Sequence, residues 1–143
     1  MDTKFSVAIH ILTMVSESKE ILSSQALATS VGSNASYIRK VIGLLKNADL
    51  IKSHQGKMGY QLTKSPKEIS LLEIYYATQG LEHINLFPIH QNANLDCPVG
   101  KHIQGAVSPI FSTIEQDLEA VLARKNLDQV IANLYQEAKI NRN

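Results

Sequence analysis

Cysteine is nearly absent: Cys97 is the only one in 143 residues. A single thiol excludes an intrachain disulfide and a four-cysteine zinc site. Long hydrophobic runs are missing too. Ser16-Glu17-Ser18-Lys19-Glu20 interrupts the N-terminal apolar stretch early, and no run approaches the roughly 20 residues that span a bilayer. The segment Phe5–Val15 is amphipathic instead of uniformly apolar, which is not the layout of a secretory signal. These absences predict a cytoplasmic protein with no membrane contact. Signatures of catalysis are equally scarce: there is no glycine-rich phosphate loop, no serine elbow, no His-x-x-x-His pair and no paired carboxylates in cleft order. The chain does not read as an enzyme.

What is present is an ordinary globular composition, 44% hydrophobic and 19% charged, over a length that suits one domain with a real core. The charge, however, is sorted along the chain. Between Val31 and Lys67 stand seven Lys or Arg (Arg39, Lys40, Lys46, Lys52, Lys57, Lys64, Lys67) against one acid, Asp49, a local charge of about +6 in a chain whose formal total is +1. The segments on either side are net acidic. A concentrated basic stretch is the electrostatic footprint expected of a protein that holds a polyphosphate backbone.

Periodicity gives the stretch its shape. Phe5, Ala8, Ile9, Leu12 and Val15 predict a first amphipathic helix, roughly over Thr3–Ser16. Ser23-Ser24-Gln25 opens a short second helix that Val31-Gly32 closes. Ser33 or Asn34 caps a third, running to about Asn47 with Ile38, Val41, Ile42 and Leu45 on its apolar face. Asp49 and Ile51 then turn the chain into a strand, His54–Gly59 forms a turn, and Tyr60-Gln61-Leu62-Thr63 returns beside it. Three short helices and a hairpin, in that order, describe a winged helix-turn-helix. A fourth helix starts near Ile69 and ends at Gly80, and residues 81–97 read as a loop. Ile103, Val107, Ile110, Ile114, Leu118 and Val121 then step by four and three, a seam on a long helix that calls for a partner helix. Pro109 lies within that seam and either kinks the helix or, with Ser108 as cap, begins a new one. Asp128–Ile140 predicts a closing helix with Val130, Ile131, Leu134 and Ala138 on its apolar side. The expected fold is mainly α with a small β-hairpin wing. It divides into a DNA-binding head over residues 1–80, the loop, and residues 98–143 carrying the long helix and the C-terminal helix.

The order of these pieces resembles the Rrf-two family of bacterial winged-helix transcription regulators. The matching positions are Ser36-Tyr37-Ile38, Leu44-Leu45, Leu50-Ile51, Gly59-Tyr60-Gln61-Leu62, Pro66, Ile69-Ser70-Leu71 and Ala77-Thr78-Gln79-Gly80. The resemblance covers essentially the whole chain and implies a homodimer, joined by the long helix, whose two heads read a palindromic operator in double-stranded DNA. There are departures in the DNA-binding head and, larger, in the cysteines. The family's wing usually presents an arginine before its glycines, where this chain has His54-Gln55-Gly56-Lys57-Met58-Gly59; a third-helix position often acidic in the cluster-binding members is Arg39. Those members also hold an iron–sulfur cluster with three cysteines ahead of the dimer helix. Cys97 alone does not supply that many thiolates, so the resemblance is to the cluster-free branch and no cofactor is expected.

With the apolar face of the third helix turned inward, Asn34, Ser36, Arg39, Lys40 and Gly43 point outward. Such a turn of short polar and basic side chains suits base edges in the major groove, where Arg39 matches guanine and Asn34 adenine. The alternative is a solvated helix face with ordinary charges. Tyr37 reads as half core, with its hydroxyl toward a phosphate. Ser24 and Gln25 open the second helix, whose free N–H groups suit a backbone phosphate. His54, Gln55 and Lys57 are the wing contacts, with Lys52 on its strand a further phosphate contact, while Lys46, Lys64 and Lys67 read as solubilising charge.

Pro98 suits the first position of a helix, which puts Cys97 at the cap, where the dipole lowers a thiol pKa. That admits a redox-sensing thiol; the plainer reading is a small half-buried contact. His83, His90, Asp96, Cys97 and His102 form a loose group of metal-ligating types, but none of their spacings matches a structural zinc site, and no metal is expected. Two other functions compete with an operator-binding repressor answering an unidentified effector. One is a thiol-responsive sensor working through Cys97, and the other is a protein-interaction module docking an enzyme or regulator.

Overall fold

The computed structural model describes residues 2–142; Met1 and Asn143 lie outside it. Helix α1 (Lys4–Glu17) is followed by α2 (Ser24–Val31), α3 (Ala35–Asn47), strands β1 (Ile51–Ser53) and β2 (Tyr60–Leu62), a 3₁₀ turn over Pro66–Glu68, and α4 (Leu71–Gln79). After the connecting segment come α5 (Pro98–Arg124) and α6 (Leu127–Ala138). This is the mainly α winged helix-turn-helix with a long C-terminal helix that the periodicity predicts.

Local chemistry sets the boundaries. The Ser23 hydroxyl accepts from the Ala26 N–H at 3.2 Å and Asn34 Oδ1 accepts from the Tyr37 N–H at 2.8 Å, so each supplies an acceptor that a helix start lacks. Asn34, not Ser33, is therefore the cap of α3. Asp49 adopts φ 58°, a left-handed conformation that Asp tolerates better than most residues, and this reverses the chain from α3 into β1. The hairpin pairs Ile51 with Leu62, Lys52 with Gln61 and Ser53 with Tyr60.

Ile11 and Leu12 from α1, Leu27 from α2, Ile38, Val41 and Leu45 from α3, and Leu50, Ile51, Ile69 and Ile74 form one buried cluster. Full burial of a Leu or Ile side chain contributes roughly 1.5–3 kcal/mol relative to exposure. Leu127 and Ile131 of α6 belong to the same cluster. The sequence pattern groups residues 98–143 together, but α6 folds back onto the head and completes its core. Its expected apolar stripe shifts accordingly. Leu127 and Ile131 are buried and Tyr135 packs beside them, whereas Leu134 is 47% exposed and Ala138 is exposed.

Helix α5 runs through Pro109 without a break. Of the two alternatives, a new helix starting at Pro109 is ruled out. Proline removes the N–H that would bond the carbonyl four residues back and crowds that carbonyl; here the residue is Gly105. No residue of this 27-residue helix is buried. One side of it is nonetheless covered by the segment that the sequence pattern predicts as a plain loop. The Glu115 carboxylate accepts the N–H groups of Leu86 (2.6 Å) and Phe87 (3.4 Å), and Glu119 accepts that of Ile84 (2.8 Å). Phe87 packs against Phe111 with ring centroids 5.3 Å apart.

Candidate nucleic-acid interface

Four anchors turned into the core, Ile38, Val41, Ile42 and Leu45, fix the rotation of α3 and leave Asn34, Ser36, Arg39 and Lys40 exposed. Neither Arg39 nor Lys40 forms an ion pair among the described residues; Lys4, Lys64 and Arg142 do. A surface cation without an acidic neighbour keeps its full field for an external anion. Asn34 is more constrained, because its Oδ1 already serves the Tyr37 N–H. Bidentate pairing with adenine would compete with the cap and leaves Nδ2 as its free group. Tyr37 packs against the core cluster, half-buried as expected, and its hydroxyl makes no hydrogen bond among the described residues.

The wing lies beside the start of α2. A cleft of about 310 Å³ between them is lined by Ser23, Ser24, Ser53, Lys57, Met58 and Gly59, among others. Gly59 makes this docking feasible: a Cβ there would collide with the Ile21 side chain and the Leu22 carbonyl, and its φ of 153° is one that side chains disfavour. Gln25, Gln55 and Lys57 are exposed, and Ser24 is half-buried. His54 is placed differently. Its backbone N–H closes the turn onto the Gly59 carbonyl at 2.8 Å, and its Nδ1 is buried with no hydrogen-bond partner. Of the three expected wing contacts, Gln55 and Lys57 face outward most fully. Met58, beside Gly59 at the tip of the wing, is 90% exposed.

The remaining cations are partly spoken for. Lys46 lies 5.6 Å from the centre of the Tyr60 ring, tying α3 to the wing, and Lys64 pairs with Glu73 at 2.6 Å. Burial raises the Glu73 pKa, but the hydrogen bonds from Lys64 and the Ser70 backbone outweigh it and hold the carboxyl below its usual range.

Along α5, Ile110, Ile114 and Val121 are 59%, 46% and 38% exposed, with Ile103, Val107 and Leu118 half-buried beside them. Cys97 is exposed and stands at the N-cap of α5 with Pro98 following. The N–H groups of Gly100 and Val99 lower its thiol pKa. Among the described residues no three His, Cys, Asp or Glu side chains gather into a metal-ligating group, and no helix is long and apolar enough to cross a membrane.

A three-helix head, a docked hairpin wing and an outward third helix with unpaired cations define a winged helix-turn-helix DNA-binding transcription regulator. The chain belongs to the Rrf2 family, described as an iron-dependent transcriptional regulator, whose profile matches residues 1–133. YwnA of Bacillus subtilis (strain 168), named as an HTH-type transcriptional regulator, is 42% identical over 135 residues, covering 94% of this chain and 99% of its own. A solved structure described as a DNA-binding protein is 40% identical with a TM-score of 0.72, covering 90% of this chain and 98% of that one. CymR, the global cysteine regulator of Bacillus subtilis, shares the fold at 19% identity and a TM-score of 0.68, covering 92% of this chain and 95% of its own. The family's iron is not matched by the donors here. A cluster takes several thiolates, and Cys97 is the single cysteine.

Proposed function

We propose that this chain acts as a homodimeric repressor that reads a palindromic operator, with α3 in the major groove, the wing on the flanking backbone or minor groove, and α5 joining the protomers. The observation that carries the reading is the unpaired, exposed state of Arg39 and Lys40 on the first turns of α3. Ser36 and Arg39 are the base readers, Arg39 through the two acceptors on a guanine edge. Lys40, Lys57, Ser24 and Gln25 supply backbone contacts that set register. The exposed row of Ile110, Ile114 and Val121 supports a second copy as partner, since two identical stripes related by a two-fold axis cover one another. A two-fold protein calls for a two-fold operator. Repression needs only that the site be occupied. We place no cluster or metal in this mechanism.

The test is binding to duplexes selected by the protein from a random pool, measured by anisotropy across a salt series. Affinity is expected to fall steeply with salt, and Arg39→Ala combined with Lys40→Ala to abolish most of it. The log–log slope should become shallower by roughly one for each phosphate no longer neutralised. A double variant that binds like the parent removes the recognition role of α3. If no duplex is recovered at all, a protein-docking function takes its place. Protein purified without oxygen is expected to show no visible cluster absorbance.

A second reading has its own observation: Cys97 is exposed at the N-cap of α5, where the N–H groups of Gly100 and Val99 favour its thiolate, and this supports thiol-responsive control of the same dimer.

A further inference from the structure

The sequence holds seven glycines, and five have a reason inside the molecule. Gly32, Gly56, Gly59 and Gly80 adopt positive φ. Gly100 lies so close to the Asn94 carbonyl that a Cβ would collide with it. Gly105, four residues before Pro109 on α5, is exposed, and a Cβ there would meet no atom within 4 Å. Gly43 likewise has neither a positive φ nor a close neighbour, but it stands on α3 beside Arg39 and Lys40. It lies inside α3 at a φ that any residue adopts, and a Cβ there would meet no atom within 4 Å. A glycine in a helix interior is less stable than alanine because it gives up more backbone entropy. The fold thus gains nothing from Gly43.

Its position supplies an external reason. Gly43 follows Arg39 by four residues and Lys40 by three, so it stands on their face one turn further along α3. We infer that Gly43 is the point of closest approach between α3 and the duplex, a specificity-determining position that sets how deeply the helix seats in the major groove. The inference rests on the DNA-reading role of α3. A bare backbone lets the helix axis come nearer the groove floor, which brings the short Ser36 hydroxyl and the planar Arg39 fork within hydrogen-bond distance of base edges. A methyl group at position 43 lifts the helix. Short side chains then no longer reach their bases, while long lysine side chains adjust and keep their phosphates.

The experiment uses Gly43→Ala in the full chain, with the tightest duplex that the parent selects from a random pool and a scrambled duplex of equal length. Alanine is expected to raise the melting temperature by about 3 °C, through helix propensity alone. Affinity for the selected duplex is expected to drop about tenfold or more, the scale of a single mismatched base pair, with the scrambled duplex bound as before. Gly43→Leu is expected to bind the selected duplex more weakly still. Unchanged binding of the selected duplex by Gly43→Ala overturns the inference, and so does a lowered melting temperature, which would mean an internal reason for the glycine. Arg39→Ala with Lys40→Ala separates the close approach from the DNA-reading role itself. If that pair abolishes binding while Gly43→Ala does not weaken it, only the close approach is wrong; if neither weakens it, the DNA-reading role of α3 falls as well.

Discussion

Ser70 and Asn126 face each other across an isolated antiparallel bridge, and each also caps a helix. The Leu71 N–H donates to the Lys125 carbonyl and the Leu127 N–H to the Ile69 carbonyl, both at 2.9 Å. Ser70 and Glu73 form a reciprocal capping box at the start of α4, and Asn126 and Gln129 form another at the start of α6. The junction between the long helix and the head is therefore made of backbone bonds, flanked by two boxes that satisfy the helix ends on either side.

Ser70→Ala and Asn126→Ala are each expected to destabilise the protein by about 1 kcal/mol, the usual worth of an N-cap. Because the two residues are paired, the double variant should depart from the sum of the singles. Urea unfolding of the four proteins checks this, and strict additivity would count against a coupled junction.

A charge at Ile114 should separate the protomers. The residue is 46% exposed in the single chain, so Ile114→Glu leaves the head intact. Sedimentation is expected to show half the parent mass, and operator affinity to fall on the order of a hundredfold as two linked half-sites become one. An unchanged sedimentation profile would remove α5 as the joining element.

Acid should weaken the Lys64–Glu73 pair in a defined direction. The folded pKa of Glu73 is lowered from its ordinary value of 4.5, so its stabilisation is complete above that value and fades as pH falls through the folded pKa. The pair is partly exposed and screened, so Glu73→Gln, which keeps the cap acceptor, should cost at most about 1 kcal/mol at neutral pH. Parent and variant stabilities are expected to converge on acidification; a gap that persists in acid would assign the effect to packing.

Cys97 is expected to alkylate faster than a free thiol at neutral pH, because the N–H groups of Val99 and Gly100 favour its thiolate. Under the thiol-responsive reading, Cys97→Ser should bind DNA normally and abolish any response to diamide or peroxide. A response that survives the substitution ends that reading.

The parts of this fold that are legible in the sequence are those fixed within a few residues. Asn34, Ile38, Val41, Ile42 and Leu45 fix the start and the rotation of α3, because a cap acts over three residues and an apolar stripe recurs every turn. Cys97-Pro98 marks the start of α5 in the same way. Periodicity does not say which surface a stripe will meet. That is why the pattern places α6 away from the head and sets its face off by a few residues: Leu127 lies at its first helical position, ahead of the stripe that periodicity picks out. The carboxylates of Glu115 and Glu119, which hold the backbone of residues 84–87, leave no pattern because their partners are main-chain N–H groups 28 to 35 residues away.

The basic stretch, the order of three helices and a hairpin, and the single cysteine were determined by the sequence alone, since each is a local or compositional property. Tertiary structure decided which cations remain free, Arg39 and Lys40 unpaired among the described residues while Lys64 is bound to Glu73, because ion pairing depends on elements that meet only after folding. It likewise decided that α5 passes through Pro109 and that α6 returns to close the core of the head. The return of α6 is an outcome of burial shared between distant segments, because Leu127 and Ile131 join the core that the head begins.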